Sequence, residues 1–203
     1  MAKSVLFLDQ LDSFSYNIVH LLESICGETH AIRVIRYDDE TLWSDLVLNG
    51  LANFSGLVIG PGPGRPSDYP RIYELVEKSK GQIPVLGICL GMQILGEMLG
   101  YTVSKAPLAV HGKMRFMQHD GTGLFKGLKS PMEIGRYHSL CIQLDSLTNE
   151  AQPTAVSITA LCDDLPMAIS ENNLCWDAVQ FHPESVLTPQ GNRVIENWVN
   201  LRL

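Results

Sequence analysis

The chain is 203 residues long, enough to bury a substantial core as one α/β domain spanning 1–203 but too short for a second complete active site. Hydrophobic residues at 45% and charged residues at 18% exclude a disordered or fibrous chain. A formal net charge of -7 disfavours nucleic acid and an anionic membrane surface as partners.

The first apolar run, Val5 to Leu8, is interrupted by Asp9 and is too short for a signal sequence or a membrane span, so a cytoplasmic location is expected. It reads instead as a buried strand. Asp12 or Ser13 can cap a following helix whose apolar positions Ile18, Leu21, Leu22 and Ile25 recur at helical spacing before Gly27 ends it. Ala31 to Tyr37, Leu57 to Ile59 and Val85 to Ile88 read as further strands, alternating with helices near Leu42–Leu48, Arg71–Lys80 and Met92–Leu99, the last closed by Gly100. That alternation predicts an open, mostly parallel sheet flanked by helices. After about Tyr101 strand-like pieces dominate: Lys113–Met117, Glu133–Tyr137, Val156–Leu161, Met167–Ser170 and Ala178–Phe181. They predict a smaller mixed or antiparallel extension in the second half. A final helix, Gly191–Leu201, should place Val194, Trp198 and Leu201 on one face.

The five cysteines are odd in number, widely spaced and without a C-x-x-C pair, so they suggest neither a disulfide framework nor a structural zinc site. Cys89 stands apart. An apolar strand runs through Gly87 into Cys89 and Gly91 and then a helix, the thiol counterpart of a nucleophile elbow. Glycines on both sides allow a sharp turn that lifts the cysteine to the end of the sheet, where the new helix directs unpaired N–H groups at the sulfur. Without that bracket Cys89 would read as an ordinary buried thiol.

A nucleophilic cysteine needs a base, and His182 follows an apolar strand with Glu184 two positions on. In an extended chain that spacing puts both side chains on one face, so the carboxylate can hold one ring nitrogen while the other faces the sulfur. Taken alone, the pair would read as a surface histidine beside a solvated glutamate. A zinc-deaminase reading of H-x-E requires P-C-x-x-C, which is missing, and no cofactor or metal is expected. A third element, Gly60 to Gly64, alternates glycine with proline at the same edge of the sheet. The whole segment, Ile59 to Ser67, should be a stiff loop that leaves the N–H groups of Gly62 and Gly64 uncovered, as an oxyanion or substrate cradle requires. Dinucleotide and phosphate loop patterns do not match it.

With these segments in view, the whole chain resembles the class I (triad) glutamine amidotransferases. The resemblance rests on G-I-C-L-G-M-Q at 87–93 and Q-F-H-P-E-S at 180–185. The stretches Leu8 to Asn17, Gly60 to Gly64, Val110 to Lys113 and Arg136 to Leu140 make it similar to the small subunits of anthranilate synthase and aminodeoxychorismate synthase. The resemblance implies a glutaminase that hydrolyses L-glutamine through a cysteine thioester and passes ammonia to a chorismate-using synthase large subunit. Cys89 is then the nucleophile, His182 the proton shuttle and Glu184 its orienting partner. Gly62 and Leu90 supply the oxyanion hole. Gln93, Ser139 and Leu140, with Gly62, Pro63 and Gly64, grip the substrate, and Asp9, Asp12, Ser13, His111, Gly112 and Lys113 lie near the partner interface. The usual pattern is departed from at Met92, Gln10, Leu11, Leu108 and Ala109. Two competing readings are a glutaminase of another synthase or a γ-glutamyl hydrolase, and a non-catalytic regulatory module.

Overall fold

A computed structural model describes residues 3–107, 112–144 and 156–203. The first half builds β1 (Lys3–Asp9), α1 (Ser15–Cys26), β2 (His30–Arg36), α2 (Glu40–Asn49), β3 (Phe54–Ile59), α3 (Pro70–Ser79), β4 (Val85–Ile88) and α4 (Leu90–Met98). The second half adds β5 (Thr102–Lys105), β6 (Lys113–His119), β7 (Met132–Arg136), β8 (Leu140–Gln143), β9 (Val156–Cys162), β10 (Leu165–Glu171), β11 (Trp176–Val179) and α5 (Gly191–Arg202).

A nine-stranded sheet runs in the order β2-β1-β3-β4-β11-β10-β9-β6-β7. From β2 through β11 neighbouring strands are parallel; from β11 to β7 they are antiparallel. The predicted mostly parallel sheet and antiparallel extension are therefore two halves of one continuous sheet. β5 and β8 pair separately as an antiparallel ribbon.

Alternate residues of the strands feed two apolar cores, as the two-residue period of a doubly covered sheet dictates. Leu6 and Leu8 of β1 join Trp43, Ile72, Leu75 and Leu95 from α2, α3 and α4 on one face. Val5 and Phe7 join Ile18 and Leu22 of α1 with Val194, Ile195 and Trp198 of α5 on the other. Placing these helices on both faces leaves the C-terminal ends of β1, β3, β4 and β11 free to carry loops, the usual ligand edge of an open α/β sheet.

Several local expectations are corrected. Neither Asp12 nor Ser13 is the cap of α1: Phe14 occupies that position without a side-chain bond to the helix. Asp12 instead accepts the Phe14 N–H at 2.8 Å, an Asx turn that delivers the chain into the helix. Leu201 is 51% exposed, and Ile195 takes its place beside Val194 and Trp198 because the last turn of α5 runs off the core. β11 ends at Val179, before the expected Phe181, since the chain must leave the sheet to carry His182. The expected stiff loop at 59–67 ends in a short 3-10 turn, Pro66–Asp68, which runs one residue beyond it and is pinned by Arg65 N–H donating to Asp68 at 3.0 Å.

Candidate active site

β4 and α4 meet at Cys89 without an intervening loop. Its backbone adopts φ 53° and ψ −101°, a left-handed geometry that costs a non-glycine residue about 1–3 kcal/mol. The surroundings hold it there: Cys89 N–H donates to Val179 O at 2.8 Å, and Gln93 N–H donates to Cys89 O at 3.2 Å. The flanking glycines are required by contact, not by conformation: Cys89 itself has the positive φ, and neither Gly87 nor Gly91 does. A Cβ on Gly87 would lie 2.6 Å from the Gly91 backbone, and one on Gly91 would lie 2.3 Å from Ile59 O.

β11 is the parallel neighbour of β4, with Val179 opposite Ile88, so the segment after β11 passes beside the elbow. His182 is buried there, close enough to Cys89 for the two side chains to interact, while its Nδ1 lies 2.6 Å from Glu184 Oε1. The expected extended geometry is not what joins His182 to Glu184. The chain turns over 182–185, with Ser185 N–H donating to His182 O at 3.2 Å and Pro183 at the position where its fixed φ suits a turn. Thr188 Oγ1 donates to the same carbonyl at 2.7 Å.

Burial alone pushes the His182 pKa down. The charge and hydrogen bond of Cys89, with the hydrogen bond and charge of Glu184, outweigh that and hold it well above the ordinary imidazole value. The Glu184 side chain is only 1% exposed. Aromatic edges fix the ring: Phe14 and Tyr137 approach His182 with centroids at 5.7 and 5.1 Å.

A cleft of about 370 Å³ opens over the sulfur, lined by Gly62, Pro63, Gly64, Leu90 and Gln93 on one side and Tyr137 to Leu140 on the other, with Asp12 at its mouth. A larger neighbouring cavity of about 450 Å³, lined by Arg65, Glu97 and Lys105 among others, shares Gly64, Ser139 and Leu140 but lacks Cys89. The smaller one is the candidate site, because it holds Cys89. Among the described residues, no group of three or more His, Cys, Asp or Glu side chains is placed to hold a metal ion.

The profile of the glutamine amidotransferase class-I family matches residues 6–201. The chain belongs to that family. Its relatives include the anthranilate synthase component 2 of Cyanophora paradoxa, 36% identical over 197 residues covering 97% of this chain and 98% of that one. The aminodeoxychorismate synthase component 2 of Serratia marcescens is 38% identical over 196 residues, covering 97% and 99%. The bifunctional protein TrpGD of Thermotoga maritima is 37% identical over 201 residues, and there the match covers 98% of this chain but 32% of the larger protein. In fold the chain is similar to the solved structure of a glutamine amidotransferase from Thermotoga maritima, with TM-score 0.70 at 17% identity, covering 99% and 82%.

Within this amidotransferase, the sequence-expected residues divide by position. Cys89, His182 and Glu184 converge, and Gly62, Pro63, Gly64, Leu90, Gln93, Ser139 and Leu140 all line the cleft. Gly62 is wedged so closely that an added Cβ would meet Gln10 Cβ at 2.5 Å and Leu90 Cδ2 at 2.8 Å. Asp9 is buried and holds Leu11 N–H at 2.8 Å and the Ser15 hydroxyl, so it shapes the turn before α1. Ser13, Gly112 and Lys113 are exposed, Asp12 is half-buried, and His111 lies outside the described residues, as do Leu108 and Ala109. Met92 is fully buried in the core, Leu11 is exposed, and Gln10 is buried with neither amide atom bonded among the described residues.

Sequence reasoning did not single out Gln180, Phe14 or the Arg136–His138 pair. Gln180 is fully buried and its Nε2 donates to Cys89 Sγ at 3.6 Å. Its place two residues before His182, after an apolar strand, was the available signal. Arg136 Nε donates to His138 Nε2 at 3.1 Å, which leaves His138 Nδ1–H to donate to Leu140 O at 2.9 Å. The neutral tautomer is thereby defined. Burial, together with the charges of Arg136 and His182, lowers the His138 pKa to about 4 against the opposing bond to Leu140.

Proposed function

We propose that this amidotransferase hydrolyses L-glutamine at Cys89 and delivers the ammonia to a chorismate-using synthase subunit. The observation that carries the chemistry is the convergence of Cys89, His182 and Glu184 at the ends of β4 and β11. Cys89 Sγ, its proton taken by His182, attacks the side-chain amide carbon of glutamine. The N–H groups of Gly62 and Leu90 stabilise the oxyanion of the tetrahedral intermediate. His182 then gives its proton to the leaving nitrogen, the C–N bond breaks, and ammonia leaves a γ-glutamyl thioester on Cys89. Water attacks that thioester as His182 removes its proton, and cleavage of the C–S bond releases glutamate. Glu184 orients His182 and offsets the imidazolium charge.

Gln93, Ser139 and Leu140, with Gly62 to Gly64, enclose the amino-acid end of the substrate. The synthase partner is supported by full-length relatives named as components of anthranilate synthase and of aminodeoxychorismate synthase, at 36% and 38% identity. Because the two names match almost equally well, we take the chorismate-using class as the partner. Gly112, Lys113, Ser13 and exposed Leu11 are the surface offered to it.

The test is Cys89→Ala, assayed with the synthase. Glutamine-dependent product should vanish while ammonium-dependent product persists. Glutaminase activity surviving in that variant would remove Cys89 from this role.

A further inference from the structure

We infer that Gln180 positions the Cys89 sulfur, and that its orientation is set by a chain of amides anchored on the Leu140 carbonyl. This inference rests on Cys89 being the nucleophile proposed above.

The register brings the two residues together. Val179 is paired with Ile88 in parallel strands, so the next residues, Gln180 and Cys89, leave the sheet side by side. Gln180 N–H donates to Met167 O at 2.8 Å, which ties its backbone to β10. Its side chain is wholly buried, and its Nε2 donates to Cys89 Sγ at 3.6 Å.

A primary amide can turn either end toward the sulfur, and only the nitrogen end helps: the oxygen would repel a thiolate. The neighbours decide between the ends. A main-chain carbonyl can only accept, so Leu140 O obliges Gln93 to present its nitrogen, at 3.2 Å. The same Gln93 nitrogen donates to Gln180 Oε1 at 3.3 Å. That obliges Gln180 to direct Nε2 at Cys89. The polarity of two amides is thus propagated from one backbone oxygen, which also receives Nδ1–H of His138 at 2.9 Å.

The function of such a donor follows from where charge appears. A hydrogen bond to an ionised acceptor is roughly twice as strong as one between neutral groups. Gln180 therefore supports the sulfur most when it is a thiolate, before attack and again as the C–S bond of the thioester breaks. It supports the neutral thioester least. The amide neither takes nor gives a proton, so proton transfer stays with His182. Gln93 also lines the substrate cleft, which links the grip on the amino acid to the alignment of the nucleophile through a single intervening side chain.

The groups facing the sulfur that can titrate or carry charge are His182 with Glu184 behind it on the segment after β11, and Tyr137, His138 and Asp12 on the cleft walls, with Arg136 behind His138. None is altered by changing Gln180. The experiment measures alkylation of Cys89 by iodoacetamide across pH on the full chain, followed by peptide mass spectrometry, in wild type, Gln180→Met and Gln180→Glu. The methionine variant removes the donor at similar volume; the glutamate variant keeps the shape and places an acceptor beside the sulfur.

The pH profile of alkylation should be displaced upward by about 0.7 of a unit in Gln180→Met, a loss of about fivefold in rate on its rising limb. Gln180→Glu should displace it further in the same direction, and both variants should retain the wild-type melting temperature to within a few degrees. A merely structural role would not produce that ordering. Profiles identical to wild type in both variants, or a larger displacement in methionine than in glutamate, would overturn the inference. Because the probe reads the sulfur and not turnover, it still judges Gln180 if Cys89→Ala were to keep glutaminase activity, the separate result that removes the nucleophile assignment.

Discussion

Replacing Gly91 with alanine isolates the steric requirement of the elbow from its chemistry. Alanine is the better helix former by about 1 kcal/mol, so at a site with room in α4 the change would stabilise. Here the added methyl would lie 2.3 Å from Ile59 O, 3.0 Å from Ile59 Cβ and 3.1 Å from Ile59 C, and backbone cannot rotate aside as a side chain can. An ordinary contact needs about 1 Å more. Either the first turn of α4 or the end of β3 must retreat, and the first carries Cys89 while the second carries the loop to Gly62. Overpacking of this kind costs about 3 kcal/mol, which for a chain of this size lowers the melting temperature by about 6–12 °C. Misplacing reacting groups by about 1 Å costs about 100-fold in turnover. Differential scanning calorimetry and coupled glutamate detection give the two values. Gly81→Ala is the control for turnover alone: nothing lies within 4 Å of an added Cβ there, and its φ of +68° should cost stability without touching activity. A Gly91→Ala protein with wild-type turnover and melting temperature would refute the requirement for close approach.

Two further outcomes concern stability. His138 is held near 4 when folded, below the ordinary value of 6.5, so its contribution is present above about pH 6.5 and is lost as pH falls toward 4, where the unfolded chain takes a proton that the folded chain refuses. Between pH 7 and 4.5 this amounts to about 2 kcal/mol, and urea titrations should show His138→Gln losing less stability than wild type by that amount. Arg202 Nε donates to Asp177 at 2.8 Å, and the Asp177 side chain is 2% exposed, so Arg202→Met leaves a buried carboxylate without its countercharge and held, among the described residues, only by the Ser170 hydroxyl at 2.8 Å. Unfolding free energy should fall by about 3 kcal/mol while glutamine turnover at 25 °C is unchanged.

The sequence made legible whatever was encoded locally. The short strand β4 running straight into the helical pattern of α4 marks the elbow locally, because strand and helix follow from neighbours in the chain, whereas the contacts that demand glycine at 87 and 91 are tertiary. The pairing order carries no such local mark. Nothing in residues 176–179 announces that they slot between β4 and β10, for strand neighbours are chosen across the whole chain. β5 was missed because Thr102, Ser104 and Lys105 are exposed, so its one half-buried apolar residue, Val103, leaves no alternating signature. His182 and Glu184 were paired for the wrong geometric reason, an extended chain where a turn exists, since hydrogen bonds from Ser185 and Thr188 override the two-residue strand period. The amide chain through Gln93 and Gln180 was invisible for a related reason: each side chain has an ordinary composition, and only tertiary contact gives the set a direction.

The central place of β11 gives the enzyme a built-in order of manufacture. As synthesis proceeds from the N-terminus, β1 to β4 can assemble on the nascent chain while the slot beside β4 stands open, because the strand that fills it has not yet been translated. Under the proposed mechanism, a half-made molecule carries the Cys89 thiol without His182 to draw its proton away and so would not consume glutamine. Filling the slot delivers the last shared edge of the sheet and His182 in one event, which makes turnover a reporter of completed folding.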